Sequence, residues 1–230
     1  MIQYHLERKN VKNVNLRIRR DGSVWVSANE HVPEQFIEAF VQRKRDYILK
    51  VQNAFAQQAL CQIQDRKYVS GEAFLLLGRS LRLQVSCNPE ESIHSDGVYL
   101  FLNIKNDSDF EHKRRMIMKF YQDQCVRVFH EILDKQFPLV EKYGIRRPTL
   151  RIRSMKTQWG SCVSKKGVIT LNRRLIDAPL NCIEYVITHE LCHLMVANHS
   201  KDFYDMLSVF MPDWKERKRV LDKTWGCISI

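Results

Sequence analysis

Two histidines and a glutamate form the motif with the clearest chemistry in this chain. The motif, H-E-x-x-H, occupies residues 189–193, and His199 follows six residues later. Residues four apart lie on one face of an α-helix, so His189 and His193 can present two imidazoles to one metal ion. Glu190 can then reach a metal-bound water as a general base, which is the arrangement of zinc hydrolases. Because such enzymes use three protein ligands and one open position, His199 is the expected third ligand.

The residues around the motif predict the elements that position it. Apolar side chains at helical spacing lead into the motif, and Pro179 suits the first turn of that helix. Asn198 tolerates the left-handed conformation, so we expect it to end the helix and turn His199 toward the metal. Ser200 suits the cap of a further helix over 201–210. The alternative is a buried helix with incidental histidines, but a chance match need not supply a helix, a bend and a third ligand together.

The composition is that of a globular protein. The chain has 230 residues, of which 44% are hydrophobic and 27% charged, enough for one domain or two small ones. No apolar run resembles a signal peptide, and no stretch approaches the roughly 18 apolar residues of a membrane span. We therefore expect a cytoplasmic protein that does not contact a membrane. The seven cysteines include no C-x-x-C pair, so reduced thiols are expected.

The positive charge is unevenly distributed along the chain. The formal net charge is +11, and the window 141–175 contains ten lysines and arginines but a single acidic residue. This window lies immediately before the motif helix. Such a patch can attract phosphates or nucleic acid, or it can be a solvated basic face, and the sequence leaves both interpretations open.

The arrangement of apolar residues predicts an α+β protein of two domains. A composition change near residue 106 gives a strand-rich α+β domain with one helix over 1–106 and a metal-dependent hydrolase domain over 107–230. The first domain is expected to contain a hairpin turning at Asp21-Gly22, a helix from Pro33 to about Ala59, a second hairpin turning at Gly78 and a strand over 98–104.

The second domain is expected to consist of a long helix, a small sheet and the motif helix. Ser108 suits the cap of the long helix, and a last helix is expected after Met211. Alternating residues predict strands over 149–153 and 167–172. Between them, the small residues after Trp159 predict a tight turn at which the backbone approaches a ligand.

Several short motifs are spread over the second half of the chain. They are Trp159-Gly160-Ser161-Cys162, Ile169-x-Leu171-Asn172, the stretch from Tyr185 to Leu194, Asn198-His199-Ser200-x-x-Phe203 and Met211-Pro212-Asp213. Together these motifs resemble the YgjP-like metallopeptidase family. The hairpin near the N-terminus and the Gly-Arg turn at 78–79 also fit, so the resemblance covers nearly the whole chain.

The resemblance implies a zincin-like catalytic domain, in which a small sheet packs on the metal helix. It implies metal ligands at His189, His193 and His199 and a catalytic role for Glu190. The sequence departs from the metzincin pattern, because a five-residue spacer without the glycine of that pattern separates the second and third histidines. Members of the family have also been assigned a nucleoside triphosphate pyrophosphatase activity, notably on UTP.

We therefore expect a zinc-dependent hydrolase that acts as a metallopeptidase, with Glu190 as general base. Zinc follows from the ligand type, although histidine sites also accept other divalent transition metals. An extended peptide substrate would pair with an edge strand beside the metal, supplied by residues 149–155 or 167–172. The natural substrate and the oligomeric state are left open.

Two alternatives use the basic window differently. In the first, a nucleoside triphosphate is the substrate, and the region 146–174 clamps its phosphates because arginine matches phosphate oxygens bidentately. In the second, the protein is a nucleic-acid-binding module with a structural metal site, against which Glu190 argues because such a site needs no base. The candidate substrate contacts are Arg151, Arg153, Lys156, Trp159, Arg173 and Arg174.

The sequence also contains weaker candidates for residues of the site. Tyr204 can stabilise an oxyanion, although core packing is favoured for it, as it is for Trp159. Asp202 or Asp205 can hold the second ring nitrogen of a ligand histidine. The remaining candidates, all disfavoured as functional groups, are Ser161 and Cys162 as nucleophiles and Cys192 as a ligand.

Overall fold

The computed structural model divides the chain into two compact units, Met1–Asp65 and Arg66–Ile230. It describes residues 2–19, 21–49, 51, 52, 66–155 and 158–225, with side chains up to residue 222. Each unit has a separate apolar core. Among the described helices, none combines the length and the apolarity that a bilayer-spanning segment needs.

The first unit contains a three-stranded sheet and a helix. The strands are β1 (His5–Arg8), β2 (Asn15–Ile18) and β3 (Val24–Ala28), in the order β1-β3-β2. The predicted hairpin is confirmed, since β2 and β3 pair antiparallel, whereas the parallel pairing of β1 with β3 was not predicted. Helix α1 (Glu34–Arg43) follows Pro33, and helical residues continue at 45–49, 51 and 52. The rest of the predicted helix, to Ala59, lies outside the described residues.

The second unit begins with a four-stranded sheet that packs on a long helix. The strands are β4 (Ala73–Leu76), β5 (Arg79–Cys87), β6 (Ser92–Ser95) and β7 (Tyr99–Ile104), in the order β4-β5-β7-β6. The hairpin at Gly78 and the strand over 98–104 are confirmed, and β6 was not predicted. Helix α2 (Phe110–Gln136) is capped by Asp109, not by Ser108, because the Asp109 side chain accepts the N–H of His112 at 2.9 Å.

The predicted boundary at 106/107 falls inside this second unit. Leu83, Leu100 and Leu102 of the sheet share one buried cluster with residues of α2 and of the motif helix. The β4–β5 turn also touches the segment that leads into the motif helix. There the backbone N–H groups of residues 77 and 78 donate to the carbonyl oxygens of residues 176 and 177, both at 2.9 Å. The four-stranded sheet therefore helps to fix the start of the helix that carries the motif.

Replacing Gly78 by alanine is expected to destabilise this unit by about 2 kcal/mol. Gly78 has a φ of +79°, and an added Cβ would lie 2.8 Å from Cγ of Pro179, the residue before the motif helix. Gly71→Ala is the matched control, since its φ is +95° but its added Cβ meets nothing within 4 Å. Thermal unfolding should show a larger loss for Gly78→Ala. Equal losses for the two variants would contradict a role for the Pro179 contact.

The C-terminal part of the second unit contains a three-stranded sheet, β8 (Thr149–Arg153), β9 (Gly160–Val163) and β10 (Val168–Asn172), in the order β8-β10-β9. Strand β10 pairs parallel with β8 and antiparallel with β9. The predicted strands are confirmed, but the tight turn predicted after Trp159 is wrong. Those small residues form an edge strand instead, because they hydrogen-bond along β10.

Four further helices complete the described part of the second unit. They are α3 (Pro138–Glu141), α4 (Leu180–Cys192), α5 (Lys201–Phe210) and α6 (Trp214–Trp225). Pro179 precedes α4 and Ser200 precedes α5, as predicted. The role predicted for Asn198 is wrong, because α4 already ends at Cys192 with His193 as its C-cap, and Asn198 does not adopt a positive φ.

Candidate metal centre

Three imidazoles converge at the C-terminal end of α4. The Nε2 atoms of His189 and His193 lie 3.2 Å apart, those of His193 and His199 3.1 Å, and those of His199 and His189 3.0 Å. His189 is buried, His193 is half-buried and His199 is exposed. We refer to these three residues as the histidine cluster. His189 lies on α4, His193 is the C-cap residue of that helix, and His199 lies in the loop before α5.

The geometry of the histidine cluster fits a single metal ion. An imidazole nitrogen presents either one N–H or one lone pair in the ring plane, so three that face each other cannot all be satisfied by hydrogen bonds. Tetrahedral zinc with Zn–N bonds of about 2.1 Å would separate its nitrogens by about 3.4 Å. The observed triangle, with edges of 3.0–3.2 Å, is close to that size. These histidines are therefore suited to hold a divalent cation by Nε2.

Neighbouring groups fix the orientation of the imidazoles. Nδ1 of His193 lies 3.0 Å from the carbonyl oxygen of Val196, to which it can donate, and this leaves Nε2 with its lone pair free. The fully buried ring of Phe203, on α5, lies 4.5–4.9 Å from all three imidazole rings. Nδ1 of His189 has no hydrogen-bond partner among the described residues. The carbonyl oxygen of Val196 thus orients His193, and the ring of Phe203 packs against all three imidazoles.

Burial keeps the histidine cluster in the protonation state that metal binding requires. Burial, and then the charges of His193 and His199, lower the pKa of His189 to about 2. Burial also lowers the pKa values of His193 and His199. Because only the neutral imidazole coordinates a metal, all three side chains are prepared as ligands at neutral pH.

Glu190 lies beside the cluster in a confined position. It is 2% exposed, and burial raises its pKa to about 8. Its Oε2 atom has no hydrogen-bond partner within the described parts of the chain. A Cβ on Gly160 would lie 2.5 Å from Oε1 of Glu190, so the backbone of β9 touches this carboxylate. An unpartnered buried carboxylate oxygen is suited to accept a proton from a water held near the histidines.

A cleft of about 480 Å³ opens onto the histidine cluster and Glu190, and we call it the histidine cleft. One wall is formed by the consecutive residues 160–165, which comprise β9 and the turn after it. A larger cavity, of about 850 Å³, lies against α2 and contains none of the motif residues. The candidate site is therefore identified by the side chains that line its cleft and not by the volume of that cleft.

The described residues among those predicted to clamp phosphates do not line the histidine cleft. Arg151 and Arg153 are exposed on β8, and β8 and β9 form opposite edges of one sheet. Arg173 and Arg174 are half-buried in the turn after β10. Lys156 lies outside the described residues. Arg151, Arg153, Arg173 and Arg174 are close in sequence to the residues of the cleft wall, but none of the four lines the cleft.

The other candidates lie in several environments. Trp159 is fully buried, as favoured from the sequence. Tyr204 is 39% exposed and stacks on Trp214, and its ring centre lies 6.1 Å from that of His199. No hydrogen bond joins the exposed Asp202 or Asp205 to the histidines in the part of the chain that is described. Ser161 and Cys162 line the cleft, and Cys192 is buried.

Asn172 is a structural contributor to the site that sequence reasoning missed. Its buried side chain donates to the carbonyl oxygens of Met155 (2.9 Å) and Gln158 (2.8 Å), and its Oδ1 accepts the N–H of Arg174 at 3.2 Å. It therefore ties the segment that leads into β9 to the end of β10. The sequence showed Asn172 only as the polar end of an apolar strand and as the last residue of the motif Ile169-x-Leu171-Asn172, and neither signal predicts these hydrogen bonds.

Zinc is expected to stabilise the wild-type protein and to have a much smaller effect on His199→Ala. At about a thousandfold excess over Kd, a ligand that binds only the folded state adds about 4 kcal/mol of stability. For a unit of this size that raises Tm by about 10 °C. His199 is exposed, so its removal opens no core cavity. His112→Ala, which removes a half-buried partner of Glu91, is the control. An equal zinc-induced shift for wild type and His199→Ala would contradict the ligand set.

Comparisons with known proteins give one family model and several similar solved structures. The family model described as YgjP-like, metallopeptidase domain, matches residues 12–224. No curated protein matches the chain. Among solved structures, the chain is similar to the metallopeptidase zymogen abylysin of Pyrococcus abyssi, with 25% identity, a TM-score of 0.38, and coverage of 44% of this chain and 98% of that one. It is also similar to the metallopeptidase zymogen jannalysin of Methanocaldococcus jannaschii, with 19% identity, a TM-score of 0.36, and coverage of 42% and 96%.

Proposed function

The chain belongs to the YgjP-like metallopeptidase family, and we propose that it cleaves peptide bonds with one zinc ion held by the histidine cluster and with Glu190 as general base. The family makes it a metal-dependent hydrolase of the metallopeptidase type. Our proposal adds that the metal is zinc, that the histidine cluster binds it with Glu190 as general base, and that the substrate is a peptide. The observation that carries the proposal is an open strand edge beside three convergent imidazoles and a buried carboxylate.

The edge of β9 is suited to bind an extended peptide. In a strand, successive side chains point to opposite faces, so a cleft lined by consecutive residues runs along the backbone. The histidine cleft is lined in this way by 160–165, and within the described part of the chain β9 has only β10 as a sheet neighbour. Its outer main-chain groups can therefore pair with a substrate strand. This replaces the edges predicted from sequence, since 167–172 is the central strand and 149–155 contains the edge strand on the other side.

The metal, Glu190, Gly160 and β9 have separate roles in the proposed reaction. Zinc, when bound, lowers the pKa of water toward neutrality and polarises the scissile carbonyl. Oε2 of Glu190 accepts a proton from the attacking water and returns it to the leaving amine. Gly160 holds the carboxylate in place by direct backbone contact, and β9 orients the peptide. Burial of Glu190 excludes bulk water from competing for its proton.

Hydrolysis of a nucleoside triphosphate such as UTP needs more cationic groups than the described cleft presents. A triphosphate clamp combines several positively charged donors. Of the described lysines and arginines, Lys165 alone lines the cleft. The pyrophosphatase activity, like polyanion binding by the exposed arginines of β8, stays a prediction that the same preparation can test.

The deciding experiment compares two substrates with one zinc-loaded enzyme. A mixture of quenched fluorescent peptides reports cleavage, and a coupled assay reports pyrophosphate release from UTP. We expect peptide cleavage that disappears on chelation and returns with zinc. Release of pyrophosphate with no cleavage of any peptide would overturn the proposal in favour of the nucleotide.

A further inference from the structure

Among the described residues, the histidine cleft contains a single cationic side chain beyond the metal centre. Apart from the histidine cluster and Glu190, the charged residue among its described lining residues is Lys165, in the short 3-10 turn that follows β9. Lys165 is exposed, and it forms no ion pair or hydrogen bond within the described ranges. Lys218 also places charge near the histidines, but it pairs with Asp222 at 3.2 Å and does not line the cleft. The positive charge of Lys165 is therefore free to act on a bound substrate.

The position of Lys165 along the strand edge sets which part of a peptide it meets. Gly160 touches Glu190 and marks the catalytic end of β9. From there to Val163 the strand advances about 3.3 Å per residue, or about 10 Å in total, and Lys165 lies just beyond. A peptide paired with β9 has the same rise per residue. The side chain that faces Lys165 therefore lies about three residues from the scissile bond.

We propose that Lys165 makes this protein select peptides with an aspartate or glutamate about three residues from the scissile bond. This inference rests on the proposed peptidase function and names its substrate class. An opposite charge is attracted and a like charge is repelled, and both effects are stronger in a cleft than in open solvent. No acidic side chain other than Glu190 lines the described cleft, so nothing there offsets the preference.

Lys166 provides a matched control. It is the next residue of the same turn and is also an exposed lysine, but it does not line the cleft. Lys165→Glu and Lys166→Glu therefore change the net charge and the turn equally. They differ in whether the changed charge faces the substrate.

The experiment measures kcat/KM for zinc-loaded full-length protein on peptides with Asp, Ala or Lys at each of four positions on either side of the cleaved bond. We expect wild type to prefer Asp over Lys by about fivefold at one position near the third, as for a partly exposed ion pair. Lys165→Glu should reverse that preference, and Lys166→Glu should retain it.

Three results would overturn the inference, and only the last of them also removes the proposed function. Peptide cleavage by wild type with equal rates for Asp and Lys at every position removes the selectivity and leaves the proposed function intact. Equal effects of the two variants have the same meaning. Failure of wild type to cleave any peptide removes the proposed function and the inference together. A second measurement, Kd of the Asp and Lys peptides for the zinc-loaded Glu190→Gln variant, reports the preference independently of turnover.

Discussion

The variant Glu190→Gln is expected to bind zinc as wild type does and to lose about 10³-fold in kcat. A positioned general base contributes roughly 10²–10⁴-fold, and glutamine has the shape of glutamate without its basicity. Glu190 is 2% exposed and touches Gly160, so a side chain of equal size preserves the packing. Zinc content by mass spectrometry and peptide turnover, measured on the same preparation, test both halves of this expectation.

The matched control for this variant is Glu184→Gln on the same helix. The Glu184 carboxylate lies 3.0 Å from Nζ of Lys135 and 2.7 Å from Nη1 of Arg217, away from the histidine cleft. Its neutralisation should lower thermal stability and leave turnover near the wild-type value. Wild-type turnover by zinc-loaded Glu190→Gln would remove the proposed general base.

The variant Gly160→Ala is expected to lower kcat by about 10²-fold while zinc remains bound. The added Cβ would lie 2.5 Å from Oε1, 2.9 Å from Cδ and 2.9 Å from Cγ of Glu190, and burial gives the glutamate little room to retreat. A displacement of about 1 Å in a catalytic group can cost about a hundredfold in rate. We therefore expect loss of rate from a residue that has no chemistry of its own.

Gly167→Ala separates this effect from general strain in the same sheet. Gly167 precedes β10 and has a φ of +57°, but its added Cβ meets nothing within 4 Å. It should lose stability and retain turnover. If Gly160→Ala kept wild-type kcat, or lost activity only by losing zinc, the contact with Glu190 would not position the base.

The sequence was sufficient to predict the elements whose signals are local. The spacing of His189, Glu190 and His193 is a property of one helix, and the α4 helix places the two imidazoles as expected. The hairpins at Asp21-Gly22 and Gly78 depend on the residues of the turn itself and are also confirmed. In each case the information lies within a few residues, so no knowledge of distant packing was needed.

The errors concern features that depend on distant parts of the chain. The small residues after Trp159 favour a turn locally, but pairing with β10 makes them an edge strand. The boundary near residue 106 reflects composition, whereas the four-stranded sheet buries its apolar face on α2 and so joins the second unit. The placement of Arg151 away from the cleft follows from strand order, which composition does not encode.

The packing of Phe203 on the imidazoles was also not predictable from nearby residues. Its position in a motif was visible, but its function as the ring against which all three imidazoles pack was not. That function depends on the loop that turns α5 back over the end of α4. Asn172 is comparable, because its hydrogen bonds join segments 14 and 17 residues away.

The central claim is that the histidine cluster holds one metal ion that peptide hydrolysis requires. The most direct test measures zinc per chain and peptide turnover for wild type and His199→Ala, before and after chelation and after zinc is restored. We predict one zinc per wild-type chain, turnover that is lost and regained with it, and neither tight zinc binding nor turnover in His199→Ala. Wild-type turnover that survives complete removal of metal, or unchanged zinc binding in His199→Ala, would contradict the claim.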